Sequence, residues 1–197
     1  MMSSPGRPRR ASKEILQEAA FELFQLRGYR GTSVEQIART AGFSRATFFN
    51  FFPSKAELFW LETDELIAAL RDDLERRLAE LEPPSLREAI LDHAERLSSA
   101  SIPWALQNYR LLEAESDLIA SGAGRVLEIN RVLLRYLRVL RDREQIAVAR
   151  EAGEGRDSLA LAGDAAAVTA VLLTALLAWI DAGAQRGSFK GRLATML

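Results

Sequence analysis

An all-α fold is what this chain predicts, and three observations predict it. Apolar residues recur at helical spacing through nearly the whole length. Short polar clusters with glycine or proline break that pattern at intervals, and no stretch alternates with the two-residue period of a strand. With 197 residues, 48% of them apolar, there is material for one domain, or for a small head on a larger body. About nine helices are expected.

Ser3 to Arg10 is polar and basic and is expected to be a disordered arm, residues 1–10. A first helix should run from Ala11 to Leu26, with Ile15, Leu16, Ala19, Ala20, Leu23 and Phe24 on one side and Gly28 placed to end it. Thr32, with Glu35 three residues on, fits a capping box for a second helix that ends at Ala41-Gly42. Ser44 opens a third helix, closed before Pro53, and Ser54 with Glu57 should cap a fourth from Lys55 to Glu80. Leu66, Leu70, Leu74 and Leu78 form its apolar row, and Pro83-Pro84 stops it. A fifth helix is expected from Ser85 to Ser99, and a sixth from Pro103 to Ile119. Gly122 and Gly124 suggest a turn, followed by a seventh helix to Arg150 and a loop from Glu151 to Gly163. An eighth helix should cover Asp164 to Gln185 and a short last one Phe189 to Leu197.

The charge is segregated. Up to Lys55 the chain carries nine Lys or Arg against four Asp or Glu, although the whole molecule has a net charge of only −1. A basic N-terminal quarter on an acidic remainder fits a nucleic-acid-binding head. There is no cysteine, so disulfides and thiolate chemistry are excluded. With a single histidine, the common nucleophile–base pairs and Cys/His metal sites are absent as well, and no glycine-rich phosphate loop is present. An enzyme is therefore not expected, and no cofactor or metal. No apolar run follows the basic start, so no signal peptide is read and a cytoplasmic location is expected. Ala165 to Ile180, the most apolar segment, looks too short to span a bilayer and reads as a buried helix.

The densest motif is Gly42-Phe43-Ser44-Arg45-Ala46-Thr47-Phe48-Phe49-Asn50-Phe51-Phe52-Pro53-Ser54-Lys55. Small residues, a capping hydroxyl, an arginine and a run of aromatics sit in a helix too short to stand alone, reached by a tight turn from the helix before it. That layout suits the recognition helix of a helix-turn-helix. Arg45 could read guanine or a phosphate, Thr47 could touch a thymine methyl, and Asn50 could pair with adenine. Phe48, Phe51 and Phe52 read as core.

Together with Ala19-Ala20 to Phe24, Gly28-Tyr29, Thr32-Ser33-Val34, Ile37-Ala38, Ala41-Gly42 and Leu58, this motif resembles the head of the TetR-type transcriptional regulators over the first quarter to third of the chain. The resemblance implies a helix-turn-helix domain over 11–55 and a ligand-binding and dimerisation domain over 56–197. It implies a homodimer that binds a palindromic operator as double-stranded DNA, most simply as a repressor, and is released by a small, largely apolar or amphipathic effector. A regulator without an effector is the alternative. In such proteins the residues at Thr32, Ser33 and Lys55 hold phosphates, and those at Ser44, Arg45, Thr47, Phe49 and Asn50 belong to the recognition helix. Two departures stand out: Phe49 where the family usually has Tyr, and Phe51 where it has Tyr or His. The run Thr47 to Lys55, with Trp60 following, is similar to a subgroup near the mycofactocin regulators, some of which are thought to sense acyl-CoA esters.

For an effector, the polar and aromatic residues within apolar stripes are the candidates: His93, Trp104, Tyr109, Asn130, Leu134 and Thr174. Each competes with a plain packing role, a satisfied core histidine in the case of His93. Arg125, Arg131, Arg135, Arg138 and Arg141 could meet an anionic head group, or form a solvated face with Glu128 and Asp142. Val168, Leu172, Ala175 and Trp179 recur at helical spacing on a helix that is apolar on more than one side, and are the candidate dimer face.

Overall fold

The computed structural model describes residues 9–98, 102–108, 110, 113–148 and 154–197. Among these it contains no strand. The helices are α1 (Arg9–Arg27), α2 (Val34–Thr40), α3 (Arg45–Phe51), α4 (Leu61–Leu78), α5 (Leu86–Glu95), α6 (Trp104–Asn108), α7 (Glu115–Val148), α8 (Glu154–Asp181) and α9 (Phe189–Ala194), with 3-10 turns at Ala56–Trp60 and Gly183–Gln185. The chain divides into two compact units: residues up to 63 with 104–122, and 64–103 with 123–197.

The first unit is built on rings. Leu16, Ala20, Leu23 and Phe24 line the inner side of α1 and meet Ile37 and Ala38 of α2, Phe48 of α3, and Phe52, Leu58 and Phe59 beyond it. Tyr29, Phe24 and Phe59 stack within 5.2–5.6 Å of one another between ring centroids. Phe21 joins them, with Trp104 4.9 Å away from it. Ala114 and Leu118 belong to the same core. The buried amide of Gln17 is satisfied by donating to the Leu58 carbonyl at 2.9 Å.

The second unit is held by a different chemistry. Arginines and carboxylates pair between α4 and α7: Arg125 grips Asp64 with two bonds of 2.6 and 2.8 Å, Arg135 bonds Glu75, and Arg71 of α4 donates to Glu128 of α7 at 3.2 Å. Arg143 donates to the carbonyls of Leu78 and Glu80, closing the last turn of α4. Tyr136, buried, donates to the Pro84 carbonyl at 2.8 Å. Between α4 and α5 lies Asp73, only 1% exposed, which receives Arg77, Arg96 and His93. Arg76 Nη2 stands 2.9 Å from its other oxygen, off the hydrogen-bond line, so charge alone holds that atom. Trp179 of α8 packs on Phe189 of α9 at 5.1 Å.

Several expectations are corrected. The second helix is capped by Ser33 with Gln36, not by Thr32 with Glu35. The fourth opens with a 3-10 turn that has no side-chain cap, so Ser54 and Glu57 form no capping box. On α4 the buried set is Ile67, Leu74 and Leu78 with Asp73, while Leu66 and Leu70 are half-buried. The expected sixth helix breaks after Asn108, and Glu113 adopts a left-handed φ of 53° just before α7 begins. Gly122 and Gly124 lie inside α7, because the packing of the helix overrides their weak helix preference. Residues 154–163 are helical, so only 151–153 of the expected loop are left, and they lie outside the described residues. Most of the expected basic arm lies outside them too, while Arg9 and Arg10 already belong to α1.

Ser158–Asp181 of α8, 24 residues, is long and apolar enough by length and composition to cross a membrane, and little of it is buried on this single chain. That corrects both the length and the burial expected of this segment. One stripe, with Leu161, Ala165, Thr169, Ala175 and Trp179, is buried. The opposite stripe leaves Leu159, Ala166, Ala170, Thr174 and Leu177 open.

Candidate nucleic-acid interface

Two seven-residue helices and the turn between them form the site. Helices this short do not persist alone in water, so their ends must be fixed and one side buried. Ser33 accepts from the Gln36 amide while the Gln36 side chain accepts from the Ser33 N–H at 2.8 Å. At the other end of α2, Phe43 N–H reaches the Ala38 carbonyl at 2.8 Å and Gly42 N–H reaches Arg39 at 3.1 Å, the paired bonds of a Schellman stop. Gly42 takes φ +76°, which favours glycine, and the chain then turns directly into α3. Ser44 caps α3 by accepting from the Thr47 amide at 3.0 Å, and the two hydroxyls bond at 2.8 Å.

Phe48 is fully buried and pins α3 to the core. That leaves Arg45, Ala46, Phe49 and Asn50 exposed on one face at i, i+1, i+4 and i+5. The Arg45 guanidinium lies over the Phe49 ring at 5.6 Å, and Phe49 is 45% exposed. An arginine supported by an aromatic, a small residue and an amide form a short reading face with donors, an acceptor and apolar surface. A major groove offers partners for all of them. Arg39, exposed at the end of α2, adds a cation that the motif did not single out; its only sequence signal is its place in the last helical turn.

The expected phosphate residues divide. Ser33 is exposed at the start of α2. Thr32 is 2% exposed, and its hydroxyl donates to the carbonyls of Gly28 and Leu23, stapling the turn to α1. Lys55 faces inward: its ammonium donates to the carbonyls of Tyr29 and Thr32 at 2.6 and 2.9 Å and lies 3.9 Å from the Tyr29 ring centroid. Burial pulls its pKa below the usual lysine value, partly offset by the nearby charge of Asp117.

The candidate effector residues fall in both units. Trp104 belongs to the first unit's ring cluster. His93 is engaged with Asp73 at 3.1 Å; burial lowers its pKa below the usual histidine value against the opposing pull of that carboxylate. Asn130 bonds Thr169 at 3.3 Å, joining α7 to α8. Leu134 is half-buried on α7, Thr174 is exposed on α8, and Tyr109 lies outside the described residues. Of the α7 arginines, Arg125, Arg131 and Arg135 pair with carboxylates, and Arg141 stands 3.9 Å from Glu144. Ala175 and Trp179 are buried within the second unit and so turned away from any partner, while Val168 and Leu172 are half-buried.

Paired short helices that present an exposed arginine–aromatic–amide face on a ring-packed base define a helix-turn-helix protein of the all-α class. Residues 16–60 match the profile of the family described as bacterial regulatory proteins, tetR family. RutR, an HTH-type transcriptional regulator of Escherichia coli, is 39% identical over 71 residues, which are 36% of this chain and 30% of RutR. MftR of Mycobacterium tuberculosis, provisionally named as a mycofactocin biosynthesis transcriptional regulator, is 33% identical over 79 residues, 39% of this chain and 40% of MftR. The chain thus spans less than half the length of the curated relatives it matches. The crystal structure of FadR of Thermus thermophilus, a TetR-family transcriptional repressor in complex with lauroyl-CoA, superposes with a TM-score of 0.59 at 25% identity, over 93% of this chain and 90% of FadR. Residues 16–60 thus carry the sequence likeness to the TetR-type regulators, and the fold of the whole chain is similar to that of a TetR-family repressor.

Proposed function

We propose that this protein binds a palindromic DNA operator as a homodimer and represses transcription until a largely apolar effector releases it. The reading face of α3 carries the proposal: Arg45, Ala46, Phe49 and Asn50 stand exposed on a helix fixed at both ends and pinned by Phe48. A capped, pinned helix keeps these side chains in one geometry, which sequence reading requires. Selection of duplexes from a random pool, followed by a gel shift across a salt series, tests it. A recovered inverted repeat supports the reading. Weak, sequence-blind binding that vanishes with salt defeats it.

Dimerisation is proposed through the open stripe of α8. Leu159, Ala166, Ala170 and Leu177 are apolar and uncovered on one chain, while the opposite stripe is already packed. A helix apolar on two sides must bury both, and a second copy covers this one with no other partner required. Ala170→Glu should give a monomer in sedimentation equilibrium, and weaker operator binding with it. Val168 and Leu172, half-buried, lie on the packed side of α8 with Ala165, Ala175 and Trp179.

For the effector, the FadR likeness supports a fatty acyl-CoA ester. Lauroyl-CoA should release the operator where free CoA does not. If no acyl-CoA of any chain length changes the gel shift, a regulator without such an effector is the better reading. As a DNA-bound regulator the protein would act in the cytoplasm, and no enzymatic activity is proposed for it.

A further inference from the structure

Lys55, which family resemblance assigns to DNA phosphates, is engaged within the first unit. Its ammonium donates to two main-chain carbonyls, those of Tyr29 and Thr32, and its charge rests on the face of the Tyr29 ring. These carbonyls flank the turn between α1 and α2. Thr32 adds the staple from its hydroxyl back to Gly28 and Leu23, and Ser33, the next residue, caps α2. The lysine therefore ties the chain just after α3 to the turn that sets the start of α2.

Tyr29 is itself held. It is 4% exposed, packs edge-on against Phe24 and beside Phe59, and its hydroxyl pKa is pushed up by burial and by the nearby Asp117 carboxylate in the first turn of α7. Asp117 is also the acidic charge near Lys55. One turn further along α7, Ser121 accepts a 2.7 Å bond from Trp60 Nε1. A Cβ on Gly122 would lie 3.0 Å from the same indole. The start of α7 is therefore fitted to the first unit by polar contacts as well as by Ala114 and Leu118.

We propose that Lys55 is a positioning residue rather than a phosphate contact: it forms with Tyr29 and Asp117 an internal strut that fixes the turn before α2 and thereby the placement of α3. A lysine removed from a phosphate takes a counterion-release contribution with it, and the salt slope of binding falls by about one unit. A strut lost from the interior lowers affinity and leaves that slope unchanged.

The inference rests on operator binding, and the experiment separates the two. The full chain is titrated against the selected duplex at several salt concentrations, as wild type, K55M, D117A and the double variant. K55M should raise Kd about tenfold, as expected when buried carbonyls lose their donor, with the same salt slope as wild type. D117A should weaken binding less, and K55M/D117A should bind no worse than K55M alone, since both break one strut. Without DNA, K55M should lower the melting temperature by several degrees. A slope reduced by about one unit in K55M, an unchanged melting temperature, or full additivity with D117A would each overturn the strut. Should the wild-type chain select no duplex, the proposed function fails, and the melting temperatures alone decide the strut.

Discussion

The two units of this molecule solve the same problem, burying one stripe of several helices, with opposite materials. The first uses rings: Phe24, Phe48 and Phe59 are at most 1% exposed, and Tyr29 and Phe52 are nearly so. The second packs Leu and Ala and crosses its helices with arginine–carboxylate pairs around Asp73. Rings give large buried area with few rotamers to freeze, which suits a small unit that must hold two seven-residue helices rigid. Long α-helices need less help to form. Ion pairs between them fix register, and their strength depends on pH and salt.

The difference can be broken from either side. Phe59→Ala should cost about 3–5 kcal/mol by leaving a cavity among the rings. Asp73→Ala should cost about as much by stranding Arg77 and His93 without their carboxylate. Urea denaturation would measure both, and added salt should change the second cost far more than the first. Equal salt dependence would remove the contrast between the units.

Acid should single out the second unit. Burial raises the Asp73 carboxyl, but the hydrogen bonds from Arg96 and His93 and the charge of Arg77 outweigh it and bring the pKa from 3.8 to about 2. The folded state thus prefers the ionised acid. Its contribution is present above the unfolded value and is lost as pH falls through about 2, roughly 2 kcal/mol in all. His93, whose folded pKa is lowered below 6.5, works in the same direction: its neutral form is favoured, so stability falls as pH drops below that value. Denaturation midpoints measured from pH 7 to pH 2 should fall in wild type and flatten at the acid end in Asp73→Asn.

On the reading face, Arg45→Ala should weaken operator binding by about 1–3 kcal/mol and relax selection at one base pair per half-site, read from the selected sequences. The melting temperature should be unchanged, because Arg45 is exposed. The smallest test uses two helical glycines of α7. Nothing lies within 4 Å of a Cβ at Gly124, so Gly124→Ala should gain up to about 1 kcal/mol from helix propensity. Gly122→Ala should gain less, because its Cβ meets Trp60 at 3.0 Å. A calorimetric melt of each orders them.

The sequence by itself determined the all-α class and the helix-turn-helix. These rest on local rules: the 3.6-residue period, capping serines at Ser44 and Ser85, and a left-handed glycine at Gly42. Where two local rules competed, local reasoning went astray. Thr32 and Ser33 are both competent caps, and only the fold shows the first hydroxyl turned inward to Gly28 while the second caps α2. Gly122 and Gly124 read as a turn until the surrounding helix packs them. Tertiary structure alone decided which side of each long helix is covered, and which polar groups are already engaged. The buried carboxylate of Asp73 gathers residues from 73 to 96, and the strut gathers Tyr29, Lys55 and Asp117. No periodicity within one helix records such partnerships, because the energy of a buried charge depends on what the rest of the chain brings within a few ångströms of it.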